Sequence, residues 1–148
     1  MPVDPRFAGR QYPPTDVYEV GREKIRDFAD AVGAAHPAHR DVGVARSLGH
    51  RDVVAPPTFA VVIAQRAEQA YIADPEAGID FSRVVHGDQR FTASRPIVAG
   101  DELTAQLTVT SVKSLGGNDM VTSESVITDS AGEHVVTATS SLVVRAEA

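Results

Sequence analysis

The chain has 148 residues, enough to bury one sizeable core and too few for two comfortable ones, so a single domain spanning residues 1–148 is expected. Hydrophobic residues make up 43% and charged residues 23%, an ordinary globular composition that argues against general disorder. The formal charge of −6 with only 14 Lys and Arg argues against a nucleic-acid surface, which needs a concentrated basic face, and the lack of cysteine rules out disulfides and thiolate chemistry.

In chain order, "MPVDPRFAGRQYPP" has neither the basic start nor the apolar core of a signal segment. No apolar run nears the roughly 20 residues that span a bilayer, so no membrane association and a cytoplasmic location are expected. A short strand is expected near "DVYEV". In "GREKIRDFADAVGAA", Ile25, Phe28, Ala29 and Val32 recur at helical spacing, with Gly33 where a helix ends. The segment from Ala34 to Asp52 reads as a long loop rich in His, Gly and Arg, and long loops in compact domains tend to carry function. A second helix is expected over "APPTFAVVIAQRAEQAYIA", with Phe59, Val62, Ile63, Ala67 and Ala70 on its apolar face. Its "FAVVIA" half is apolar all round, which predicts a central, enclosed position.

After Arg83 the period changes from helical to two. "RVVHGDQRFTASRPI" starts as a strand, and "GDELTAQLTVTSVKS", "NDMVTSESVITD" and "EHVVTATSSLVVRAE" form an antiparallel meander joined by "LGGND" and "DSAGE". The expected architecture is α+β, with about five strands wrapped around one of two helices.

The chemistry-bearing stretch is "VGAAHPAHRD", with His36 and His39 three residues apart around Pro37. Imidazole titrates near neutrality, so both are acid–base candidates, but no second titrating group lies between them. Either could equally be a loop histidine bonded to backbone. A metal site with Asp41 is not expected, because the spacing is unlike a zinc motif and no third ligand is evident. His86 and Asp88, two apart on a strand, are expected on one face, and a polar pair at a strand bulge near Gly87 is the plainer reading of them. Arg40, Arg46, Arg51 and Arg66 are expected at the surface.

"VGAAHPAHRD", "VVAPPTFAVVIA" and "VVHGDQRFTASRPIVAGDEL" together resemble the MaoC-like branch of the hotdog fold, the (R)-specific enoyl thioester hydratases and 3-hydroxyacyl dehydratases. "YEVGREKIRDFADAVG", "APPTF" and "RPIVAGDEL" further resemble the HadA-type subunit of the (3R)-hydroxyacyl-ACP dehydratases. The resemblance runs over roughly residues 10 to 145. It implies a hotdog fold, an acyl-CoA or acyl-ACP thioester as substrate and no cofactor. It also implies a homodimer, or a heterodimer with a catalytic MaoC-like subunit.

Catalytic members of that family carry Gly-Asp-x-Asn-Pro-x-His. Laid on this chain, the motif covers Gly33, Ala34, Ala35, His36, Pro37, Ala38 and His39, so Ala34 stands at the carboxylate position and His36 at the Asn position. The helix-start glycine whose N–H faces the thioester oxygen corresponds to Pro57, which has no N–H. The resemblance therefore implies a subunit that is non-catalytic or weakly catalytic alone, with His39 and His36 as catalytic candidates. Substrate-binding residues are expected at Pro57, Thr58, Phe59, Val62, Tyr71 and His86. A non-enzymatic acyl-binding protein is one alternative. Another is an independent hydratase or thioesterase using His39 with a carboxylate such as Asp30 or Asp88.

Overall fold

The computed structural model describes residues 2–147. Strand β1 (Tyr18–Glu19) precedes helices α1 (Arg22–Val32), α2 (Val42–Ser47) and α3 (Ala60–Ile72); strands β2 (Val84–Ala93), β3 (Glu102–Leu115), β4 (Asn118–Thr128) and β5 (His134–Val144) follow. Every pairing is antiparallel, in the order β1-β3-β4-β5-β2.

The sheet encloses α3, which packs against β3, β4 and β5. Strict alternation builds the inner face: Leu103, Ala105, Leu107 and Val109 of β3 are buried, and the residues between them are not. On α3 the buried stripe is Ala60, Ile63, Ala64, Ala67, Glu68 and Tyr71, the spacing of one helical face. Three alanines in that stripe let the helix lie close to the strands. Ala70, expected on this face, is exposed, and Val62 is half-buried, because the stripe is centred one side of the position assumed from the sequence. Glu68 enters the core by accepting a hydrogen bond from Ser140 Oγ at 3.2 Å. Burial raises its carboxyl pKa against the lowering effect of that bond.

The turns obey local chemistry. Leu115 pairs with Asn118 across a two-residue loop, Gly116-Gly117, with φ of 61° and 84°, the primed hairpin turn that suits strand twist. Helix α1 closes at Gly33, φ 71°, with Ala34 N–H donating to the Ala29 carbonyl at 2.8 Å. The segment expected as a long loop contains a 3-10 turn, Pro37–His39, and the six-residue helix α2. Asp41 Oδ1 caps α2 by accepting from Val44 N–H at 2.9 Å. A further 3-10 turn, Pro57–Phe59, leads into α3.

His86 and Asp88 do not share a face. His86 pairs with Leu142 and Asp88 with Ser141, with the register shifting between them. Leu142 belongs to the buried alternation of β5, so His86 is on the helix side of the sheet and Asp88 on the outer side.

The two sheet edges differ. Residues 9–15 run along β3, with Gly9 N–H on Val109 O, Tyr12 N–H on Leu107 O and Thr15 N–H on Ala105 O. β2 pairs with β5 alone, so among the described residues the other edge of this ten-residue strand has no partner.

Candidate functional site

A cleft of about 710 Å³ opens between the His36–His39 turn, the start of α3 and the ends of β2 and β5. Val54, Ala55, Pro56, Pro57, Ala60, Phe91, Ala93 and Val136 make its walls largely apolar, and His36, His39, Ser94 and Arg95 supply its polar groups. An apolar cleft with a few convergent polar side chains is the usual form of a small-molecule site.

Each histidine is fixed by one hydrogen bond, and the two bonds assign opposite roles. His39 Nδ1 lies 2.6 Å from the Val54 carbonyl. A carbonyl only accepts, so Nδ1 carries the proton and the neutral ring presents Nε2 as an acceptor. His36 Nδ1 accepts from Ala38 N–H at 3.1 Å, capping the 3-10 turn, and the neutral ring then carries its proton on Nε2. The ring centroids are 6.2 Å apart, edge to face. One ring thus presents an acceptor nitrogen and the other a donor nitrogen.

Two arginines hold this turn. Arg40 donates to the Ala34 carbonyl at 2.9 Å and pairs with Asp30, and Arg26 Nε donates to the Arg40 carbonyl at 3.1 Å. Arg22 is bidentate to Asp52, at 2.9 and 2.8 Å, and this guanidinium holds the Asp52 carboxyl below its ordinary range. On the opposite rim, Asp101 is buried and accepts from Arg51, from both terminal nitrogens of Arg95 and from Val98 N–H. That pairing raises the pKa of Arg95.

Of the substrate-binding residues expected from the sequence, Pro57 lines the cleft beside His36 and His39. Thr58 is exposed one position on. Phe59 is fully buried, its ring edge-on to Phe28 at 5.3 Å. Val62 packs against the core from the flank of α3. Tyr71 is fully buried at the far end of α3 between Phe7 and Tyr12, with ring centroids at 6.1 and 5.8 Å. His86 is exposed, its Nε2 3.1 Å from Gln89 Oε1.

Neither carboxylate considered as a substitute base enters the cleft: Asp30 faces Arg40, and Asp88 faces Arg90 at 3.4 Å. Among the described residues no cluster of three His, Asp or Glu side chains is placed to hold a metal ion, and no helix is long and apolar enough to cross a membrane.

Sequence reasoning missed Ser94. It forms the cleft wall where β2 ends, and its hydroxyl lies 2.5 Å from His134 Nδ1, forty positions away. Only the β2–β5 register joins them, so no local signal could have found the pair.

A curled antiparallel sheet around one long helix, with a histidine-lined apolar cleft at the helix start, defines a hotdog protein of the hydratase and dehydratase class. The chain belongs to the FAS1-like, dehydratase domain region family, whose model matches residues 6–138. It is 63% identical to a UPF0336 protein of Leifsonia xyli subsp. xyli over 99% of both chains. It is 54% identical to a UPF0336 protein of Streptomyces coelicolor over 99% of this chain and 97% of that one. Among solved structures it is similar to a chain of the HadBC (3R)-hydroxyacyl-ACP dehydratase complex from Mycobacterium tuberculosis, with 35% identity, a TM-score of 0.83, and coverage of 93% of this chain and 96% of that one. A MaoC-like dehydratase matches at 37% identity and a TM-score of 0.86, over 94% of this chain and 42% of the longer relative.

Proposed function

We propose that this chain binds the acyl part of a 3-hydroxyacyl or enoyl thioester, carried on CoA or ACP, as one subunit of a two-hotdog hydratase/dehydratase. The observation that carries this reading is the position of the cleft. One wall is β2, through Phe91 and Ala93, and the outer edge of that strand is unpaired. An unpaired ten-residue edge is a template for another strand, so a second hotdog pairing there would close the sheet and the cleft together. The HadBC neighbour is itself a complex, which supports a partner of this kind.

Reversible dehydration needs a base at C2, an acid at the departing 3-hydroxyl and N–H donors for the thioester oxygen. This chain offers His39 Nε2. Ala34 cannot carry a proton, and Pro56 and Pro57 bring no N–H to the cleft wall. Each missing group is worth about 3 kcal/mol of transition-state stabilisation, so the partner supplies the carboxylate–His dyad and this chain supplies acyl contacts. Co-expression with a hotdog chain carrying an intact Gly-Asp-x-Asn-Pro-x-His motif tests this, by hydration of crotonyl-CoA and of a longer enoyl thioester. Activity is expected in the complex and should vanish when the partner's motif Asp is replaced. Activity that survives the replacement contradicts the reading.

One observation favours a second reading, an independent hydratase. The hydrogen bonds of His39 and His36 leave an acceptor and a donor nitrogen on the same cleft wall, the two roles that hydration requires. Loss of turnover in the isolated chain on His39→Ala would support it.

A further inference from the structure

A second groove, of about 360 Å³, adjoins the cleft: Arg95 and Pro96 line both, and Gly49, His50, Arg51, Val98 and Asp129 complete it. Part of it comes from the segment that leads from α2 to the cleft wall at Val54. Arg46, in the last turn of α2, is tied to that segment by donating from Nε to the Arg51 carbonyl at 3.1 Å. Its two terminal nitrogens have no partner among the described residues. Charges here are layered. The Asp101 side chain is 3% exposed and that of Asp129 17%, against 72% for Arg51. Asp129, the one carboxylate lining the groove, is engaged by Arg95 and by the N–H groups of Ala131 and Glu133. Arg51 gives one terminal nitrogen to Asp101 and keeps the rest of its guanidinium at the surface. The acceptors therefore lie beneath and the donors on top, a local landing for an anion on a chain whose formal charge is −6. Guanidinium forks match the oxygens of a phosphate in particular.

We propose that Arg46 and Arg51 bind the phosphate that ends the pantetheine arm of the thioester's carrier. This deepens the reading that the cleft binds an acyl thioester on CoA or ACP, and rests on it. The arm is the same in both carriers and uncharged along its length. The acyl group lies in the cleft, the arm crosses Pro96, and the phosphate meets the two guanidiniums in the adjoining groove. Arg95, held by Asp101, Asp129 and the Pro96 carbonyl, forms the divide between the two compartments. The arginines are partly ordered before any ligand arrives, Arg46 by the Arg51 carbonyl and Arg51 by the buried Asp101. Ordering that precedes binding leaves more of each contact as affinity.

The test uses three unreactive thioethers that share one acyl mimic: S-hexylpantetheine, which has no phosphate, S-hexylphosphopantetheine and S-hexyl-CoA. Calorimetry measures their binding to the wild type, Arg46→Gln, Arg51→Gln and the double variant, with Arg66→Gln, whose guanidinium lies over Tyr18 outside the groove, as the control that keeps wild-type affinities. The wild type is expected to bind both phosphorylated compounds about 100-fold tighter than S-hexylpantetheine, about tenfold for each arginine, the worth of one charge-assisted hydrogen bond. Each single variant should lose about tenfold for the phosphorylated compounds, and salt should narrow their advantage. The double variant should bind all three alike. S-hexylpantetheine should bind every variant equally, which separates a lost phosphate contact from a damaged fold; Arg46→Gln also leaves the Asp101 contacts untouched. The same S-hexyl arm on ACP identifies the carrier, which is the one whose affinity the double variant weakens more. Equal binding of the three compounds by the wild type, or an advantage that survives in the double variant, overturns the phosphate site and leaves the acyl-binding reading intact. An advantage for S-hexyl-CoA alone also overturns it, because the nucleotide and not the arm would then be bound. If none of the three binds, both readings fall.

Discussion

Tyr71→Phe should stabilise the protein, because the Tyr71 hydroxyl is buried and has no hydrogen-bond partner among the described residues. An unsatisfied buried hydroxyl costs about 1–3 kcal/mol relative to an apolar group of the same shape. Phenylalanine keeps the ring contacts with Phe7 and Tyr12. The void left by one oxygen, roughly 10 Å³, returns only about 0.2 kcal/mol of that gain. The expected net effect is about 1–2 kcal/mol, or about 3–6 °C in Tm for a chain of this length. The pH dependence gives a second signature. Burial, with the Asp4 and Asp74 charges adding to it, pushes the Tyr71 phenol up from 10.0 to about 12. The folded state therefore holds the proton more tightly than the unfolded chain, so the stabilisation is complete below pH 10 and is lost as pH rises toward 12. Two pH units at 1.36 kcal/mol each bound the loss at roughly 3 kcal/mol. Urea unfolding followed by circular dichroism at pH 7 and between pH 9 and 11 measures both effects. Tyr71→Phe should unfold later at pH 7 and lose less stability in alkali. Tyr12, whose pKa burial also raises, keeps part of the slope. A variant less stable than wild type at pH 7 would refute the claim that the hydroxyl is unpaired.

Three further outcomes follow from the geometry. Asp101→Asn should lower stability by about 2 kcal/mol in urea unfolding, since Asp101 accepts from two arginines and Val98 N–H while buried, although Arg51 is mostly exposed. Gly116→Ala should cost about 1 kcal/mol and Gly116→Asn much less, because φ is 61° with nothing within 4 Å of an added Cβ. The cost is strain alone, and calorimetric Tm values for the two variants separate it from packing. Ala34→Asp with Pro57→Gly should raise crotonyl-CoA hydration about tenfold to a hundredfold over background. The gain is limited because Arg40, bonded to the Ala34 carbonyl, stands ready to pair with the new carboxylate; a folded double variant no faster than one also carrying His39→Ala would undo the proposed motif alignment.

Periodicity made most of the fold legible. The period-two runs after Arg83 became β2 to β5, and the all-apolar start of the second helix became the enclosed α3. Helix α2 was hidden because six residues capped by Asp41 are too short to show a helical period. His86 and Asp88 were put on one face because alternation assumes an unbroken ladder, and the bulge between them breaks it. The packing around Tyr71 was illegible for another reason: Phe7 and Tyr12 lie in irregular segments, and only tertiary folding brings them over α3. At the site, the histidine turn was visible as a motif. The tautomers of His36 and His39 were not, because Ala38 N–H and the Val54 carbonyl set them.

The most direct test of the central claim is the crotonyl-CoA hydration rate of the isolated chain against that of its complex with a hotdog chain carrying the intact motif. Two missing groups at about 3 kcal/mol each, about 6 kcal/mol together, predict an isolated chain about 10⁴-fold slower than the complex. Turnover by the isolated chain within about tenfold of the complex, abolished by His39→Ala, would contradict the subunit account and establish this cleft as a self-sufficient hydratase site.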